Sequence, residues 1–105
     1  VRSEDIKGMN DHSRVTVRCV SLLEFLHNAQ CAMDLLVMDI EGCEIEVLKN
    51  IRSLLCGGPK RPVVFFELHP DFYPSGTEAS LYRFFEECGY ATERISSHLL
   101  CTPQP

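Results

Sequence analysis

Several features are missing from this sequence, and each absence narrows what the chain can be. No cluster of four or more Lys or Arg occurs, and the formal net charge is −5. A nucleic-acid partner gripped through its phosphates is therefore not expected. No apolar run approaches membrane-spanning length and no secretory signal opens the chain, so no membrane partner is expected either. The six cysteines, at 19, 31, 43, 56, 88 and 101, contain no Cys-x-x-Cys pair. That argues against a zinc ribbon. Most of them read as reduced thiols in or beside helices, with disulfides as the alternative. Internal repeats and low-complexity tracts are also absent.

What is present is ordinary for a globular domain: 105 residues, 45% hydrophobic and 24% charged. That is enough for one small domain with its own core. Residues 1–14 are polar and mixed in charge and read as a loop or tail. Val15 to Val20 alternates and is β-branched, so a strand is predicted there. Ser21 and Glu24 have capping-box spacing, and Leu22, Leu23, Phe25 and Leu26 supply the apolar side of a short helix to about Ala29.

The organising stretch is Asp34 to Lys49. An apolar run over Leu35 to Ile40, too short for a helix, reads as a strand covered on both faces. It breaks at Asp39-Ile40-Glu41-Gly42. An amphipathic helix over about Cys43 to Leu55 follows, with Val47, Leu48, Ile51, Leu54 and Leu55 on one face. Glu44 and Glu46 in its first turn read as partners of the helix dipole. Gly57-Gly58-Pro59 ends the helix. Pro62 to His69 is a second buried strand. Ser75 and Glu78 repeat the capping spacing before a helix to about Cys88, and Gly89 is its left-handed stop. Tyr90 to Ile95 reads as a further strand, and residues 96–105 as a tail with a terminal strand at Leu99-Leu100.

Two buried strands joined by one helix should be parallel neighbours, and ligands of open α/β sheets sit at the C-terminal strand ends. That edge gathers Asp39, Glu41, Glu67 and His69, which are the candidate catalytic residues. Asp39 and Glu67 each extend an apolar face, and a buried carboxylate needs a donor, a cation or a proton. His69 could deprotonate an acceptor hydroxyl, oriented by Asp39 or Glu67. Alternatively Asp39, Glu67 and His69 could hold a divalent metal such as magnesium or manganese. Gly42 either makes the turn or admits a ligand to the backbone.

The string Asp34-Leu-Leu-Val-Met-Asp-Ile-Glu-Gly-Cys-Glu-Ile-Glu-Val-Leu-Lys49 resembles the signature of FkbM-type methyltransferases. The similarity continues through Pro62-Val-Val-Phe-Phe-Glu-Leu-His69 and the helix closing on Gly89-Tyr90, and it covers roughly residues 15 to 95. Many members have Lys where this chain has Val37, so any role of that lysine is missing. The resemblance implies an α/β, Rossmann-like class I methyltransferase fold with a mainly parallel sheet. It implies transfer of a methyl group from S-adenosylmethionine, mostly to oxygen, with a small molecule or glycan as acceptor. Such enzymes hold the cofactor on a glycine-rich loop and a strand-end acid upstream of the matched region. Here no Gly-x-Gly precedes Asp34. The expectation is therefore a C-terminal part of the domain over residues 15–95, incomplete on its N-terminal side and inactive by itself, with self-association through an uncovered sheet edge or apolar helix face. A non-catalytic interaction module and a metal-dependent hydrolase are the alternatives.

Overall fold

In the computed structural model of the protein, residues 2–7, 14–58 and 60–105 are described. Arg2–Lys7 forms β1, which pairs antiparallel with β2, Arg14–Cys19, in a two-stranded sheet of its own. Part of the stretch expected as a tail is thus a strand; Val1 and the segment 8–13 lie outside the described residues. Helix α1, Leu22–Ala29, starts on Ser21, whose hydroxyl oxygen accepts the Glu24 N–H at 3.1 Å. That is half of the expected capping box.

The main sheet has four strands in the order β3-β4-β6-β5: Leu35–Met38, Val63–Glu67, His98–Pro103 and Tyr90–Ile95. β3 and β4 are adjacent and parallel, with Leu35 opposite Val63, as the two apolar runs predict. Between them lie α2, Glu44–Asn50, and α3, Arg52–Gly57. The single predicted helix is broken at Ile51, which leaves helical geometry (φ −100°, ψ 14°) yet is fully buried in the core. Helix α4, Thr77–Glu87, follows β4. It begins on Gly76 and not on the predicted Ser75 capping box, and Glu78 pairs instead with Arg94 on β5.

The sheet is mixed and not mainly parallel, which corrects the expectation. The cause lies in the last ten residues. A two-residue turn at Ser96–Ser97, with Ser96 at φ +57°, folds β6 back against β5. So short a connection can only produce an antiparallel pair. The returning strand enters between β4 and β5 and pairs antiparallel with both. The terminal strand expected at Leu99-Leu100 is therefore longer and interior, carrying the fully buried Leu99 and Cys101.

Strict alternation in β4 sends Val64, Phe66 and the following Leu68 to one face. There they pack with Leu48, Ile51, Leu55, Leu81 and Phe85 of the helices. This layer is the core, and burying each such side chain contributes roughly 1.5–3 kcal/mol. The other face is open: Leu35 and Val37 of β3 are 57% and 62% exposed. The two-sided burial predicted for β3 thus holds on one side only, where Met38 points inward. A disulfide joins Cys56 at the end of α3 to Cys88 after α4. It overturns the reading of these two as reduced thiols. Cys19, Cys31, Cys43 and Cys101 are free. Closing a loop across 32 positions stabilises the fold by on the order of 3–4 kcal/mol. Among the described residues no helix is long and apolar enough to cross a membrane.

Candidate active site

Parallel pairing finishes β3 and β4 side by side, so the loops leaving their C-terminal ends share one edge. The first loop turns through Asp39, Ile40, Glu41 and Gly42, with Glu41 at φ +50° and Gly42 at φ +99°. A glutamate in the left-handed region costs roughly 1–2 kcal/mol. Glycine at 42 is required twice over. Its φ disfavours a side chain, and a Cβ there would sit 2.8 Å from Cβ of Phe72 on the second loop. The ladder of β3 stops at Met38, and the Ile40 N–H turns to Glu44.

Glu44, the first residue of α2, is wholly buried. Its Oε2 accepts the Ile40 N–H at 3.2 Å, and its Oε1 accepts the Gly42 N–H at 3.1 Å and the Tyr73 hydroxyl at 2.9 Å. A carboxylate out of water persists only with donors of this kind. Tyr73 is pushed up from the usual 10 to about 12, first by burial and then by its hydrogen bond to the Glu44 carboxylate.

His69 lies two residues past β4. The 3-10 turn Pro70–Phe72 follows it directly, and the Phe72 N–H is donated to the His69 carbonyl at 2.9 Å. Its ring stands between acids. Nδ1 is 3.2 Å from Oε2 of Glu44, while Nε2 is 3.4 Å from Oδ1 of Asp39 and 3.5 Å from Oε2 of Glu67. Nδ1 is buried, and no aligned hydrogen bond reaches it. Its contact with Glu44 is therefore ionic in distance but off the line of a good N–H···O bond. The side chains grade outward, from 0% exposed at Glu44 through 12% at His69 and 36% at Glu67 to 71% at Asp39. Among the described residues, His69 is the one basic side chain within ion-pair distance of any of these acids. One ligand atom each from Asp39, Glu67 and His69 lies within 4.8 Å of the others.

Of the four predicted site residues, Asp39, Glu67 and His69 meet. Glu41 does not: it is exposed and forms no hydrogen bond or ion pair with the described residues. The buried carboxylate expected at Asp39 or Glu67 is Glu44 instead. The sequence pattern marks Glu44 only as a partner of the helix dipole and gives no sign that Tyr73 will meet it. The available signal was a third acid crowded directly after the Asp39–Gly42 turn. What hid its role is the backward fold of that turn, which sets a helix-first residue beneath the strand end.

The acidic, histidine-bearing edge lies at the C-terminal ends of the parallel strands, where open α/β sheets place their ligands. Residues 2–92 match the methyltransferase FkbM domain, and the chain belongs to that family. The activity this family carries is methyl transfer. No curated protein and no solved structure matches the chain.

Proposed function

We propose that this chain is the acceptor side of an S-adenosylmethionine-dependent O-methyltransferase acting on a hydroxyl of a small molecule or glycan. The carrying observation is the His69 ring, with Glu44 at Nδ1 and with Asp39 and Glu67 beside Nε2. In this reading Nε2 takes the acceptor's hydroxyl proton as that oxygen becomes the nucleophile, and Asp39 and Glu67 orient acceptor and ring. Bound S-adenosylmethionine supplies the methyl group. Among the described residues, the strand-end edge does not fit the cofactor itself. The one glycine at the edge, Gly42, is packed against Phe72 where a ligand would need backbone access, and no Gly-x-Gly loop is present. The cofactor-binding part belongs, on this proposal, to sequence outside these 105 residues.

A second reading has its own support. The Nε2 distances of 3.4 and 3.5 Å exceed those of good hydrogen bonds. One ligand atom each from Asp39, Glu67 and His69 lies within 4.8 Å of the others, close enough to converge on one cation with small side-chain shifts. Asp39, Glu67 and His69 would then hold a divalent ion such as magnesium or manganese, which lowers the pKa of a bound hydroxyl.

Calorimetry of this chain with S-adenosylmethionine should show no micromolar binding. In the longer protein carrying a cofactor half, His69→Ala should lower turnover about 10²–10⁴-fold, the usual worth of a general base. Full turnover by that variant would return the edge to a structural role. Micromolar binding by this chain would show that no further sequence is needed.

A further inference from the structure

Glu44 is more than a turn-pinning carboxylate. We propose that it is the positioning residue of His69: its buried carboxylate orients the ring with the N–H on Nδ1, so that Nε2 turns its lone pair to the open edge. The functional meaning of this rests on the acceptor-side reading above; the protonation pattern does not.

A carboxylate offers about four lone-pair positions and no donor. At Glu44 three donors make four contacts: the Ile40 N–H to Oε2, the Gly42 N–H to Oε1 at 3.1 Å and more weakly to Oε2 at 3.4 Å, and the Tyr73 hydroxyl to Oε1. Nδ1 of His69 lies 3.2 Å from the same Oε2. At that distance, with Glu44 fully buried, no water can stand between them. Nδ1 is buried as well, with no other hydrogen-bond partner. A lone pair on Nδ1 would set two buried acceptors against each other with nothing between them, the arrangement burial penalises most. An N–H there satisfies both after a small rotation of the ring, and catalytic hydrogen bonds often tighten in this way when substrate binds.

The far side of the ring differs. Asp39 is mostly exposed and Glu67 partly so, so water can stand between them and a deprotonated Nε2. Leaving a lone pair on Nε2 is therefore cheap, while leaving one on Nδ1 is not. This asymmetry, set by what each nitrogen faces, fixes the tautomer. The Nε2 lone pair consequently faces outward, where an acceptor hydroxyl would arrive.

Long-range ¹H–¹⁵N correlation of the labelled 105-residue chain reads the two ring nitrogens directly, with the His69 signals identified by their loss in His69→Ala. Expected for the neutral ring is a pyrrole-type Nδ1 and a pyridine-type Nε2, favoured at least tenfold. A majority of Nε2–H in the native chain overturns the proposal. Glu44→Asp keeps a carboxylate near the Ile40 and Gly42 N–H groups while withdrawing it from the ring. It should lose most of the tenfold preference, and an unchanged preference in folded Glu44→Asp contradicts the proposal. Turnover of His69→Ala tests the acceptor-side reading separately, so either idea can fail without the other.

Discussion

Two polar networks pin the two ends of β4, and they are balanced differently. At its start, the Arg61 guanidinium donates to the carbonyls of Cys88 at 2.7 Å and of Gln104, and stacks over the Tyr90 ring at 5.4 Å. The Tyr90 hydroxyl donates to the Pro62 carbonyl at 2.7 Å. Cation, carbonyls and ring match, and nothing is left over. At its far end, one histidine stands among three carboxylates. The inner acid, Glu44, is matched by donors like those of the Arg61 corner. The outer two, Asp39 and Glu67, have His69 as their one ion-pair neighbour among the described residues. A balanced network holds the last strand and helix α4 in place. The unbalanced one is, on the proposed function, where a ligand is met.

That contrast can be broken first at the buried members. Glu44→Ala would orphan two backbone N–H groups and the Tyr73 hydroxyl and should cost roughly 2–4 kcal/mol in urea unfolding. Arg61→Met, which loses charged hydrogen bonds but leaves carbonyls that water can reach, should cost roughly 1.5–3 kcal/mol. Glu44 and Arg61 would then be comparable structural anchors, one at each end of the strand. A Glu44→Ala variant as stable as the native chain would place Glu44 with the outer two acids.

High pH sharpens the comparison from another side. Burial, with Arg61 opposing it, pushes Tyr90 up to about 12, and burial alone pushes Cys101 from 9.0 to about 12. Tyr73 at the other end also reaches about 12. Each group has a folded pKa above its unfolded one. The stability each contributes is therefore fully present below about pH 9–10 and is lost as pH rises through about 12. Melting temperature followed from pH 8 to 12 should fall progressively across that window. In Tyr73→Phe the fall should be shallower, while the loss at the Arg61 corner remains. A flat profile to pH 12 would mean that these groups ionise freely in the folded chain.

Much of this was legible in the sequence, for local reasons. The apolar runs at 35–40 and 63–68 and the amphipathic stretch between them determine a parallel pair, because nothing else buries both. Asp39, Glu67 and His69 fall together because strand ends in register must. The legible part ends where tertiary placement decides. A terminal strand at Leu99-Leu100 is legible in the tail, but its length, His98–Pro103, and its interior place come only from the hairpin with β5 and the pairing with β4. Cys56 and Cys88 stand in separate helical segments, and only the packing of α3 beside α4 joins them. Glu44 has the sequence position of a dipole partner; its burial beneath His69 depends on two successive left-handed residues that no periodicity encodes.

The smallest expected effect carries the most weight. If Asp39 and Glu67 are present for a ligand and not for the fold, the double variant Asp39→Asn/Glu67→Gln should unfold in urea with a stability within about 0.5 kcal/mol of the native chain, since exposed ion pairs contribute little. A loss above about 1.5 kcal/mol would contradict this and make the acidic edge a second structural anchor like the Arg61 corner.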